Sequence, residues 1–206
     1  MTVQYITLKI SLLFLLLCFC SDAVTAAELL SEDFTLCEMP DNWTLENLGG
    51  SCDWIFATDL EENGTGGEGC FAYAKSDECP DQPMDTALST PPLDCSTITG
   101  TTLSFRYDIY SQKSDTVFAV WISADGGNNW EEIWAQTGAA NTDNQTKQID
   151  ISEMADGQAD IRILFRYTAS DDWWWQLDDV KVYSEETDTF NWLLFLPAIM
   201  SGGQIQ

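Results

Sequence analysis

Carboxylates and indole rings are the groups in this chain with chemistry to offer. The 206 residues hold 34 Asp and Glu against eight Lys and Arg, with nine Trp and no His. Two acids adjoin in Gln176-Leu177-Asp178-Asp179-Val180-Lys181-Val182. Leu177, Val180 and Val182 all want the core, yet Leu177 and Val180 differ in parity. The pleat must therefore slip, and a β-bulge at Asp178-Asp179 does this. Such a bulge can leave both carboxylates on one side of the strand. Carboxylates beside loop carbonyls are the ligands that calcium takes, and clustering them without a cation raises their pKa values. Solvation, or pairing with Lys75 and Lys181, is the simpler alternative.

The second group is Trp173-Trp174-Trp175. In a strand, Trp173 and Trp175 share a face and Trp174 takes the other. An exposed Trp beside polar groups suits stacking on a sugar ring. Trp174 with Asp172 and Gln176 forms a candidate patch, and Trp130 and Trp134 are further contributors. The competing use of these rings is sandwich core and ordinary surface.

Other chemistries are missing. Without His there is no Ser-His-Asp, Cys-His or His-metal catalysis. No Gly-rich loop leads into a helix carrying a Lys, so phosphate has no cradle. A glycosidase needs two carboxylates at a set separation, but the Glu-x-Asp-x-Glu string with which jelly rolls present them is absent. The expectation is no enzyme. A net charge of −26 repels nucleic acid and anionic lipid.

These residues need elements to position them. Lys9, the apolar run Ile10 to Phe19 and the small residues before Ala27 read as a secretory signal cleaved near Ala26. About 180 residues remain, enough for one domain with a core. That domain is expected over 27–186, followed by a short apolar tail over 187–206. The tail is too short to span a bilayer and is broken by Pro197, so the mature chain should carry no transmembrane span. The tail is expected to dock as a terminal strand, act as a sorting or processing signal, or insert shallowly. Five cysteines follow the signal, which predicts two disulfides and one leftover thiol. Cys70 and Cys79 flank a short segment and look like a pair; Cys37–Cys52 and Cys52–Cys95 stay open alternatives. Sequons stand at Asn42, Asn63 and Asn144.

Short alternating runs, not helical periods, fill the domain. Residues 101–110 alternate Leu103, Phe105, Tyr107 and Ile109 against polar neighbours. Residues 116–123 are apolar on both faces, as in a strand covered on both sides. Asp125-Gly126-Gly127-Asn128-Asn129 then turns the chain into a strand from Trp130 to Trp134. Strands are also predicted over 145–151, 160–168 and 173–183, with Arg162, Leu164 and Arg166 opposite Ile161, Ile163 and Phe165. Shorter ones are predicted over 32–35, 43–47, 53–57, 70–75 and 86–90. The fold class is all-β, an antiparallel β-sandwich.

Several of these segments resemble landmarks of the MAM-like jelly-roll family, which includes the bacterial cleaved-adhesin and choice-of-anchor J domains. SEDF at 31–34, PDNWT at 40–44, GGSCDW at 49–54, GGEGCFAYAKSD at 66–77 and ALSTPPLDCS at 87–96 occur in the family's order. TLSFRY at 102–107, WISADGGNNW at 121–130, IRILFRY at 161–167 and WWWQLDDVKV at 173–182 follow. The resemblance implies an extracellular jelly roll, often with structural Ca2+, in which the acid of the last strand meets acids of the opening strand and of the strand near position 77. Carried over, the metal set is Glu32 or Asp33, Asp77, Asp178 and Asp179, although Thr35 departs from a frequent family acid. The expected function is a secreted or cell-surface adhesion module, a monomer contacting an extracellular protein or glycan. The alternative is a carbohydrate-binding module using exposed Trp.

Overall fold

The computed structural model describes residues 27–57, 62–80 and 83–184. The predicted signal and the apolar tail lie outside the described residues. Two antiparallel sheets face each other. The five-stranded sheet has the order β2 (Thr44–Gly49), β5 (Met84–Ser89), β11 (Arg162–Ala169), β7 (Val117–Ser123), β8 (Glu131–Thr137). The seven-stranded sheet runs β10 (Gln145–Asp150), β6 (Thr101–Ser111), β12 (Trp174–Ser184), β4 (Phe71–Lys75), β3 (Ile55–Ala57). In addition, β1 (Glu28–Glu32) pairs with β12, and β9 (Ala140–Asn141) with β6.

Alternation decides which residues enter the space between the sheets. Leu103, Phe105 and Ile109 of β6, Trp175 and Leu177 of β12, and Ile163, Phe165 and Tyr167 of β11 are all buried there. Trp175 is the hub, with its ring 5.3–6.1 Å from those of Trp54, Phe118, Trp134 and Phe165. The predicted bulge is present. The β6–β12 register shifts between Asp178 and Lys181, Asp179 has φ 46°, and Leu177 and Val180 are both buried.

Three expectations change. The first strand is Glu28–Glu32 rather than 32–35, because Phe34 turns at φ 52° to bury its ring against Trp43 and Phe56. A single-turn helix, α1 (Ser152–Ala155), occupies a connection with too few residues to show a helical period. The disulfides are Cys37–Cys70 and Cys52–Cys79, leaving Cys95 free and buried. Two bridges and one thiol were expected, but Cys70–Cys79 is not a pair. The five-residue strand β4 separates them, roughly 16 Å of extended chain. A bridge tolerates Cα atoms only about 7 Å apart.

The outer face of the seven-stranded sheet is roofed by the loop after residue 61. Gln176 accepts from the Gly64 N–H at 2.7 Å and donates to the Glu62 carbonyl at 3.0 Å. Asp178 accepts from Asn63 Nδ2 at 3.0 Å and Thr65 Oγ1 at 3.2 Å. Arg106 donates to the Gly66 carbonyl and pairs with Asp179 at 2.9 Å. The glycines permit this close approach. A Cβ on Gly67 would sit 2.1 Å from Asp178 Oδ2, and one on Gly66 1.9 Å from Asn144 Oδ1.

Candidate functional site

The outer face of the five-stranded sheet carries apolar and charged groups together. Pairing sets Leu164 opposite Trp121 on one side and Ser89 on the other. Arg166 lies between Ala119 and Ala87, and Glu46 lies beyond Ala87. Small residues beside Arg166 keep the sheet surface low there. A cavity of about 250 Å³ results, lined by Glu46, Leu48, Trp121, Trp130, Leu164 and Arg166. Leu48 stays 46% exposed at its edge.

Arg166 is held by Asp85. Its Nε and Nη2 donate to Asp85 at 2.8 and 2.7 Å, and Thr168 Oγ1 adds a bond to the same carboxylate at 3.2 Å. The Arg166 hydrogen bonds hold the Asp85 carboxyl below its ordinary range, so the pair stays ionised. This bidentate geometry pre-organises the guanidinium, and Nη1 is left without a protein partner among the described residues.

Trp130 is placed by the turn before it. Asp125 accepts from Asn128 N at 3.1 Å, Asn129 N at 2.9 Å, Asn129 Nδ2 at 2.5 Å and Ser123 Oγ at 2.8 Å. These bonds, the Asn129 side chain's first, pull the Asp125 pKa down to about 2. Gly126 and Gly127 supply the positive φ values the turn needs, at 73° and 94°. Trp130 leaves the turn as a wall shared by two cavities. The second, of about 280 Å³, lies on the core-facing side of the sheet's end and is also lined by Ile122, Ala124, Asp125, Asn129, Glu131 and Met154.

Of the predicted ligand patch, only Trp130 lines either cavity. Asp172 is buried and accepts from Ser111 Oγ at 2.6 Å, Gln112 N at 3.0 Å and Thr116 Oγ1. Although burial opposes ionisation, these donors hold the Asp172 pKa below its ordinary value. Gln176 is buried beneath the roofing loop. Trp134 packs on Phe105, Tyr107 and Trp175, with Lys147 5.9 Å from its ring centre. Trp174 is half-buried on the seven-stranded side and donates from Nε1 to Asp108 at 2.8 Å. Trp173 does not join Trp175 in the core but lies with Trp174 against Tyr110. Trp121 escaped the sequence reading. Its signal was the apolarity of 116–123 on both faces, which marks a cavity wall rather than a strand covered on both sides.

The predicted metal residues do not converge. Asp77 follows the Lys75 end of β4, where Lys75 opposes Trp174, whereas Asp178 lies at the other end, next to the Leu177–Ala72 pair. At about 3.3 Å per residue that separates them by roughly 15–20 Å. Glu32 accepts from the Phe34 N–H at 2.7 Å, Asp33 accepts from Thr35, and Asp179 pairs with Arg106. Among the described residues, no three His, Cys, Asp or Glu side chains gather as a metal centre. The five residues therefore do not fit a single calcium site of six to eight oxygens. Asp178 instead sits buried among hydrogen-bond donors, and burial raises its pKa to about 6.

This arrangement, a two-sheet jelly roll with an aromatic cavity on one outer face, is found in solved adhesin and carbohydrate-binding domains only as far as the fold. The K1 cleaved adhesin domain of Lys-gingipain from Porphyromonas gingivalis W83 superimposes with a TM-score of 0.56 at 19% identity, over 76% of this chain and 98% of that one. The K3 domain of the same protein gives 0.55 at 20%, over 78% and 100%. TmCBM61, solved with β-1,4-galactotriose, gives 0.56 at 14%, over 77% and 99%. No family model and no curated protein sequence matches the chain. The chain has the fold of a MAM-like, cleaved-adhesin jelly roll, as its sequence landmarks suggested. Among the described residues no helix is long and apolar enough to cross a membrane. The two disulfides fit an oxidising compartment.

Proposed function

We propose that this protein is a non-catalytic extracellular adhesion module that engages its ligand through the outer face of the five-stranded sheet. The observation that carries the reading is the cavity walled by Trp121 and Trp130 and floored by Leu164 and the pinned Arg166. Open apolar surface with a few fixed polar groups is what ligand sites are made of. Adhesin and carbohydrate-binding domains of the same fold support a binding role. The seven-stranded face offers less, because its polar groups are spent on its own loop.

The test is binding of the purified chain to arrays of extracellular proteins and glycans. The double substitution Trp121→Ala and Trp130→Ala should erase the signal while the far-UV spectrum stays that of a β-sandwich. An undiminished signal in that variant would reject the surface.

A further inference from the structure

We propose that the chain's own apolar segment from Phe190 to Leu196 folds back into a groove at the edge of the sandwich and closes it. This groove shares no residue with the cavity of Trp121 and Trp130. It opens beside β1, which pairs with β12 alone among the described residues, and beside the entry to β2, the edge strand of the other sheet. Leu30 and Glu32 lie opposite Val182 and Val180, which are buried, so both point between the sheets. The rings of Phe34 and Trp43, 5.6 Å apart, line the same space, a cavity of about 300 Å³. Leu36 stands on its wall and is 78% exposed, against 46% for Leu48 and Ile55. The backbone holds it there, because Phe34 is buried two residues before it and the Cys37–Cys70 bridge follows it. A lone exposed Leu is ordinary, but this one continues an apolar surface made by Leu30, Phe34 and Trp43.

The occupant follows from where the described chain ends. Ser184 closes β12 and donates its N–H to the Ala27 carbonyl at 2.9 Å, beside the start of β1. Leu30 faces Val182, so the near end of the groove is two residues back along β12 and one strand over, roughly 8 Å from Ser184. Phe34 lies four residues further along the chain, roughly 13 Å if extended. The six steps from Ser184 to Phe190 span up to about 20 Å, enough to reach Leu30 and to reverse direction on the way. Phe190-Asn191-Trp192-Leu193-Leu194-Phe195-Leu196 then covers about 23 Å, the length needed to run from Leu30 past Phe34. Charge agrees with this occupant. Glu32, Glu38 and Asp41 line the groove and repel an acidic segment. The acids after Ser184, at Glu185, Glu186 and Asp188, all fall in the spacer, and the run from Phe190 to Leu196 is uncharged. Burial there also takes from water an apolar stretch that exported chains rarely leave open.

Chymotrypsin digestion of the full chain, with cuts from Phe190 to Leu196 read by mass spectrometry, tests this. Leu36→Asp puts a charge on the groove wall at an exposed position. It should speed those cuts by about tenfold or more, since cleavage follows the open population, while the far-UV spectrum stays that of a β-sandwich. The double substitution Trp192→Asp and Phe195→Asp leaves the sandwich untouched. It should speed cutting at Phe190 equally and increase the fluorescence of a hydrophobic dye as the groove opens. Equal cleavage rates in the parent and Leu36→Asp would overturn the proposal. A dimer in sedimentation that Leu36→Asp dissolves would overturn it as well, giving the groove to a second copy. Neutral phosphatidylcholine vesicles that capture the parent and Leu36→Asp alike would overturn it by placing the segment in a bilayer.

Discussion

The two outer faces of this sandwich use similar residues to opposite ends. On the seven-stranded face, Gln176, Asp178 and Arg106 point outward along their strands yet are spent on the loop that covers them. On the five-stranded face, Glu46, Trp121, Leu164 and Arg166 point outward and line open space. The roof is anchored where it meets β4 by Cys37–Cys70, and glycines let its backbone touch the sheet. Outward polarity therefore does not identify a binding face. What matters is whether the outward groups already have partners.

This contrast can be broken by substitution. The largest effect belongs to neither face. Trp175→Ala, at the hub between the sheets, should cost about 3–5 kcal/mol and lower the melting temperature sharply. Next comes the roof, where Gly67→Ala drives a methyl group into Asp178 and should destabilise by about 1–3 kcal/mol, seen in denaturant titration. Trp174→Ala strips a donor from buried Asp108 and should cost about 1–3 kcal/mol without weakening ligand binding. Equal loss of binding in Trp174→Ala and Trp130→Ala would erase the distinction between the faces.

The pH dependence sharpens it. Burial raises the Asp178 pKa to about 6, above its unfolded value near 4. Between those values the folded chain holds a proton that the unfolded chain releases, so this group's contribution falls as pH rises through the window and is flat above it. The melting temperature of the parent relative to Asp178→Asn should therefore be higher at pH 4 than at pH 7. The smallest stability effect is expected on the open face, where Trp130→Ala should shift unfolding by less than about 1 kcal/mol while removing binding.

The strands were legible because alternation and β-bulges are local. Leu103, Phe105 and Ile109 announce their face, and the parity clash of Leu177 with Val180 announces the bulge. Cysteine pairing was not legible, since Cys70 and Cys79 are near in sequence but stand at opposite ends of β4. The acids misled for the same reason. Asp77 follows β4 and Asp178 lies on the neighbouring β12, and only the antiparallel register sends them to opposite ends.

By itself, the sequence determined an acidic, aromatic-rich chain without histidine whose period-two runs must close as a two-layer β-sandwich, because side-chain parity is set residue by residue. The tertiary structure alone decided which outward face is roofed and which is open. That depends on where a glycine-rich loop comes to rest and which tryptophan it leaves uncovered, and both are contacts between residues far apart in the chain.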